Sequence, residues 1–198
     1  MNNEQIIILK TILRTYFTEK CYAKSLTALD EVLTYKGNRK DGVTPIYVHM
    51  LCVADFLRSF DVSDDLFAIA LLHDSTEDKF STSNQILKTY DLDISRCVQN
   101  LDKTGKTEQE YYCNISDCPR CSVVKGSDRI HNLQTIVGVF SIEKQKSYIE
   151  ETKRNVLPML QKASSRFPGL TPIYLCINRI LNSQIELTEH LHKAISPS

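Results

Sequence analysis

Ala70-Leu71-Leu72-His73-Asp74-Ser75-Thr76-Glu77-Asp78 decides the reading of this 198-residue chain. It closes a run from Leu66 that is apolar almost all round, and a helix with no polar face belongs at the centre of a fold. Ser63-Asp64-Asp65, just before it, supplies the side-chain oxygens that favour a helix start. The spacing predicts one helix from Leu66 to about Asp78. At 3.6 residues per turn, Glu77 then lies above His73 and Asp78 above Asp74. A His/Asp pair suited to a metal is followed, one turn on, by a pair of carboxylates. The bland alternative is an exposed helix end with ordinary charges, which the apolar residues leading into it argue against.

Working outward, helical periodicity recurs and strand-like alternation does not. Ile6, Leu9, Ile12 and Leu13 form one stripe, Leu26, Leu29 and Leu33 another, and Val48, Leu51, Ala54 and Leu57 a third. Further helices are predicted at about 82–89, 91–102, 117–137, 143–162 and 171–194. Two turn-rich stretches interrupt them, Lys36-Gly-Asn-Arg-Lys-Asp-Gly-Val-Thr-Pro45 and Lys103-Thr-Gly-Lys106. No repeat or linker divides the chain. The expectation is all-α, a single domain over 1–198, with a motif-bearing core at about 20–165 and C-terminal helices at about 166–195.

Composition narrows the function class. A 42% hydrophobic fraction with 24% charged residues is ordinary for a globular protein. Lys+Arg and Asp+Glu are equal at 24 each, so no global field draws the chain to a nucleic-acid polymer or an acidic membrane. The N-terminus lacks a signal peptide's basic start and apolar run, and no window approaches the roughly 20 apolar residues that span a bilayer. With seven scattered cysteines, an odd number, these features predict a soluble, cytoplasmic protein with reduced thiols. Cys113, Cys118 and Cys121 suggest a zinc site, but His131 lies about 15 Å beyond Cys121 along a helix, and incidental thiols are the expectation.

His73 and Asp74 need further ligands from other helices. His49, in Pro45-Ile-Tyr-Val-His-Met-Leu51, and Asp128, in Val124-Lys-Gly-Ser-Asp-Arg-Ile-His-Asn-Leu133, are the candidates. Alone, His49 reads as a hydrogen-bonded core histidine and Asp128 as an ion-pair partner of Lys125 or Arg129; together with His73-Asp74 they read as ligands. Two nitrogens and two oxygens suit Mn²⁺ or Fe²⁺, with Zn²⁺ as an alternative, and poorly suit Ca²⁺ or Mg²⁺. Asp74, Glu77, Asp78 and Asp128, if close, would carry four negative charges, enough for one carboxyl to keep its proton at neutral pH and serve as a general acid or base.

Taken in order, Arg39-Lys-Asp-Gly, Tyr47-Val-His49, His73-Asp74-Ser-Thr-Glu77-Asp78 and Lys125-Gly-Ser-Asp128-Arg-Ile-His-Asn132 resemble the hydrolase domain of the RelA/SpoT family. The likeness continues more weakly through Glu151-Thr and Val156-Leu-Pro-Met-Leu160. It implies an HD-type helical bundle with His49, His73, Asp74 and Asp128 as ligands, usually of Mn²⁺. Glu77 and Asp78 would activate water or handle the leaving-group proton. Arg39 and Lys40 would hold the nucleotide base and phosphates, and Asn132 the sugar region. The implied reaction is hydrolysis of the 3′-pyrophosphate of ppGpp or pppGpp, giving GDP or GTP and pyrophosphate. At this length the chain resembles the small stand-alone hydrolases, which degrade the alarmone and do not make it.

It departs from the family pattern at Gly126, where a larger apolar residue is common, at Ser127, and between Lys106 and Asp117. Alternative functions are an HD phosphatase for NADPH, ppApp or a dNTP, and a non-catalytic module that binds a nucleotide or a partner. Arg39 and Lys40 also fit a solvated basic loop, and Asn132 a supporting or capping residue. Lys103 and Lys106 read as a plain surface turn, His131 as structural, and His190 and His192 as solvated.

Overall fold

Residues 1–195 are described by a computed structural model, and every regular element among them is helical; an isolated bridge pairs Asn38 with Pro45. The fold is all-α, as the periodicity predicts. Its packing divides into two compact units, residues 1–111 and residues from 112 onward.

The first unit contains α1 (Asn3–Glu19), α2 (Ala23–Val32), α3 (Tyr47–Leu57), α4 (Asp64–Leu72), α5 (Ser83–Thr89), α6 (Leu92–Leu101) and the start of α7 (Glu108–Ser116). Every residue of α4 from Leu66 to Leu72 is buried, with α2, α3 and α6 packed around it. Five of those side chains are large, so their burial contributes on the order of 10 kcal/mol before the cost of ordering them. Phe67 meets Phe17 edge-on at 5.1 Å, which ties α1 to the same core. Ser63 caps α4 through Leu66 N. Asp64 then caps a different helix: its carboxylate accepts Lys24 N at 3.0 Å and Ser25 N at 2.8 Å, satisfying the first amides of α2 and clamping it to α4.

Two sequence expectations are corrected here. Ile12 is exposed, and the buried stripe of α1 is Ile6, Leu9, Leu13 and Phe17. The central helix stops at Leu72 and not near Asp78; residues 73–79 form successive turns. Beyond Leu72 the chain has no apolar residue until Phe80, while Asp74, Ser75 and Thr76 offer side-chain oxygens that compete with helical hydrogen bonds.

The second unit completes α7 and contains α8 (Pro119–Thr135), α9 (Ile142–Glu151), a π-helical turn (Thr152–Val156), α10 (Leu157–Arg166), a 3₁₀ turn (Pro168–Leu170) and α11 (Thr171–Ile195). The expected helix at 143–162 is therefore a rod with a π turn inside it. α8 lies close to α10 and α11 at Gly126, where an added Cβ would stand 2.9 Å from Ile177 Cγ2 and 3.0 Å from Leu160 Cδ2. That contact explains why a larger residue is absent at 126. His192, expected to be solvated, is buried, and its Nε2 lies 2.9 Å from Gln145 Oε1. The inward positions of α11 run Tyr174, Ile177, Leu181, Ile185, Thr188 and His192, a helical spacing that continues to the histidine.

Candidate metal centre

His49 enters the first unit on the opening turn of α3. Val48 N bonds to Pro45 O and His49 N to Ile46 O, so the helix starts immediately after the turn-rich loop. Because α3 is apolar on most sides, the imidazole is carried inward, and its residue is 1% exposed. His73 is the C-cap of α4 and is 3% exposed. Its Nδ1 lies 2.8 Å from Ala70 O. A carbonyl only accepts, so Nδ1 carries the proton and Nε2 of the neutral ring presents a lone pair.

That lone pair faces the rest of the cluster. His73 Nε2 stands 3.2 Å from His49 Nε2 and 3.2 Å from Asp74 Oδ1, and His49 Nε2 stands 3.5 Å from Asp74 Oδ2. One ligand atom from each residue lies within 4.8 Å of the other two. Atoms held about 2.1 Å from a common ion stand about 3.0 Å apart at right angles and about 3.4 Å apart at the tetrahedral angle. The observed spacings match the edges of such a shell. A proton on His49 Nε2 serves one acceptor at a time, whereas a divalent ion serves all three. The donor set therefore fits a divalent metal, with two imidazoles and a carboxylate in the range shared by Mn²⁺, Fe²⁺ and Zn²⁺. The hydrogen bond to Ala70 O fixes the ring of His73 from behind, as ligand histidines need.

The carboxylate pair lies next to this cluster on the turns that follow. Ser75 N bonds to Leu72 O, Asp78 N to Asp74 O and Lys79 N to Thr76 O, with Lys79 in the left-handed region at φ 61°. Glu77 and Asp78 are both exposed. Partial desolvation, then the charges of Asp74 and Glu77, push Asp78 above the usual carboxylate range, so it keeps its proton to higher pH; His73 and Arg39 oppose the shift. Glu77 Oε2 accepts from Lys103 N at 3.2 Å. The Lys103 turn, read from sequence as plain surface, thus supports a site residue through its backbone, which a side-chain search cannot detect.

The loop before α3 is a compact hairpin. Arg39 N bonds to Thr44 O at 2.7 Å, and Asp41 accepts Val43 N, Thr44 N and the Thr44 hydroxyl. These bonds draw the Asp41 carboxyl down to about 2, with the Thr44 hydroxyl the largest influence. Arg39 is half-buried, and its positive charge lowers Asp78; Lys40 is exposed.

Asp128 and Asn132 lie in the second unit on α8. The buried Asp128 carboxylate accepts Lys125 Nζ at 2.8 Å and Asn132 Nδ2 at 2.5 Å. Lys125, Asp128 and Asn132 follow one another at i, i+3 and i+7, so one face of α8 carries all three. Cys113 is exposed, and Cys118 Sγ accepts weakly from Cys121 N at 3.5 Å, an ordinary helix-start contact.

No family model matches the chain. It is 32% identical over 133 residues to a guanosine-3′,5′-bis(diphosphate) 3′-pyrophosphohydrolase of Aquifex aeolicus, a match covering 63% of this chain and 19% of that protein. It is 28% identical over 137 residues to a GTP pyrophosphokinase rsh of Brucella melitensis, covering 63% of this chain and 18% of that protein. A probable guanosine-3′,5′-bis(diphosphate) 3′-pyrophosphohydrolase of Synechocystis is 28% identical over 154 residues, covering 72% and 19%. The aligned stretch is thus under a fifth of the length of each relative. Both hydrolase and pyrophosphokinase names occur among them. No described helix is long and apolar enough to cross a membrane.

Proposed function

We propose that this chain, a RelA/SpoT-type HD-domain protein, is a metal-dependent hydrolase that removes the 3′-pyrophosphate of guanosine alarmones. The observation that carries the reading is the convergence of His49, His73 and Asp74 beside the Glu77–Asp78 turn. Among the relatives, the hydrolase names favour cleavage over synthesis. The proposal treats residues 1–198 as one HD-type hydrolase domain. Asp128 as fourth ligand and Asn132 as a sugar contact enter it from the motif resemblance alone, as does Mn²⁺ as the metal.

In the proposed site His49, His73, Asp74 and Asp128 hold the ion. When bound, a divalent metal polarises a phosphoryl oxygen and lowers the pKa of water. Glu77 accepts the proton of the attacking water, whose oxygen forms the new bond to phosphorus. The bond from that phosphorus to the ribose 3′ oxygen breaks, and Asp78, which holds its proton to unusually high pH, returns a proton to the 3′ oxygen. Water is consumed, and the nucleoside 5′-diphosphate or triphosphate and pyrophosphate leave. Arg39 and Lys40 offset the charge of a substrate that brings four or more negative phosphate oxygens.

The test is a panel of ppGpp, pppGpp, ppApp, NADPH and dNTPs incubated with the protein and Mn²⁺, with products resolved by anion exchange. Pyrophosphate released from ppGpp or pppGpp is the expected result. Orthophosphate from NADPH, or turnover of ppApp or a dNTP in preference, would replace the guanosine assignment. No turnover of any member would sink the enzymatic reading.

A further inference from the structure

Glu31, near the end of α2, is used by nothing described so far. Its half-buried carboxylate accepts three hydrogen bonds: Oε1 takes Tyr35 OH at 2.9 Å and Ser81 Oγ at 2.7 Å, and Oε2 takes Tyr90 OH at 2.8 Å. Tyr35 OH also stands 3.0 Å from Ser75 Oγ. The phenol has one proton, and the carboxylate is the stronger acceptor, so in this arrangement Ser75 donates to Tyr35 and Tyr35 donates to Glu31. The Tyr35 ring stacks on Phe80, with centroids 4.3 Å apart and planes 10° from parallel.

These contacts converge on one piece of backbone. Ser75, fully buried, follows Asp74 directly, and its carbonyl accepts both Phe80 N at 2.9 Å and Ser81 N at 3.0 Å. The chain from Ser75 to Ser81 is therefore a closed loop, and between its two feet it carries Thr76, Glu77, Asp78 and Lys79. Both feet are tied to Glu31, Ser81 directly and Ser75 through Tyr35. Tyr35 remains a donor at any working pH, because burial pushes its hydroxyl up to about 12. Three donors aimed at one carboxylate require both of its oxygens to accept, which a neutral amide cannot supply.

We propose that Glu31 is a positioning residue that fixes the Ser75–Ser81 loop and thereby aims Glu77 and Asp78 at the substrate bound beside His49, His73 and Asp74. The role rests on the hydrolase reading, but the loop closure it predicts is measurable without substrate.

Glu31→Gln keeps the side chain's size and leaves its new NH₂ group facing a donor. In the full-length variant, amide exchange at Phe80 and Ser81 is expected to quicken by about tenfold or more relative to wild type, because the loop's opening costs less. For a wild type active on the nucleotide panel, kcat should fall by roughly 10- to 100-fold while KM and Mn²⁺ affinity by calorimetry stay within about threefold, the signature of misaligned reacting groups. Ser81→Ala, which releases one foot only, should give a smaller change in the same direction and stands in if Glu31→Gln does not fold. Tyr90→Phe removes a bond to Glu31 that touches neither foot; it should lower the melting temperature yet leave exchange at both amides near wild type.

Unchanged exchange at Phe80 and Ser81 in both Glu31→Gln and Ser81→Ala would overturn the proposal. So would faster exchange with kcat intact, which would make Glu31 a structural residue only. A wild type inert toward every nucleotide would defeat the hydrolase reading instead, and the exchange data would still decide whether Glu31 closes the loop.

Discussion

Each unit buries a polar cluster on its helices, and the two are built by opposite rules. In the second unit Arg129, 4% exposed, donates to both oxygens of Glu151, at 3.3 and 3.1 Å, and Tyr112 OH donates to the same carboxylate at 2.9 Å. Positive charge meets negative, donor meets acceptor, and the cluster is complete as an internal brace. In the first unit His49, His73 and Asp74 aim atoms of accepting character at one another. Burial and polarity alone do not separate a brace from a binding site. The sign and the donor or acceptor role of the facing atoms do, and they mark the first cluster as a place for a cation.

The largest expected effect comes from breaking the acceptor cluster at its carboxylate. Asp74→Ala should reduce Mn²⁺ affinity, read by calorimetry, by more than the roughly 100-fold that loss of a merely supporting residue costs, and should abolish turnover with it. Glu77→Gln sharpens the distinction between holding the ion and moving protons: kcat should drop about 10²- to 10⁴-fold with metal affinity retained, and a full-rate variant would refute the acid/base assignment.

The brace should respond in stability and not in metal binding. Arg129→Met leaves Glu151 without its cation and should destabilise the protein by about 3 kcal/mol in urea, the lower part of the range for a broken buried pair, because Glu151 is partly exposed. Adding Glu151→Leu should restore most of that loss; if it does not, the two residues are not acting as a pair. Gly126→Ala tests packing beside the brace. Its methyl group gains helix propensity but must push Ile177 aside, for a net cost of about 1 kcal/mol.

The smallest effect is a gain. Asp78 has its pKa raised in the folded state, so its ionised form opposes folding above that raised value, and the penalty fades below the ordinary carboxylate pKa of 3.8. In chelator at neutral pH, Asp78→Asn should therefore raise the melting temperature slightly, and at pH 3 it should not. A variant that melts lower at neutral pH would show that the carboxylate is stabilised where it stands.

Much of this was legible in the chain itself, for identifiable reasons. α4 is recognisable because Leu66 to Leu72 is apolar without interruption and Ser63 provides its start. His49, His73 and Asp74 are found by asking what compensates polar groups at the edge of apolar helices, and the structure brings those three together. The exact end of α4 was not legible, because i to i+4 spacing persists through Asp78 while the buried positions do not. α7 was missed: Glu108–Ser116 mixes charged and aromatic residues without a clear stripe. His192 was readable from the inward register of α11 but was judged by its nearness to the chain end. Glu31 was not legible at all, since its partners Ser81 and Tyr90 are 50 and 59 residues away and hydroxyl groups advertise no preference among carboxylates.

The π turn at Thr152–Val156 has a consequence for how this chain tolerates change. Such a turn holds one residue more than an α-helix would need to span the same hydrogen-bond ladder. Deleting exposed Lys153 or Arg154 would let the backbone relax into unbroken α-helix at that point, with no hydrogen bond lost. Everything downstream would then pivot by about 100° around the rod, swinging Met159, Leu160 and Ala163 out of the core. The surplus residue works as a phase adjuster, and a one-residue shortening there should do more harm than a point substitution at any exposed position of the same rod.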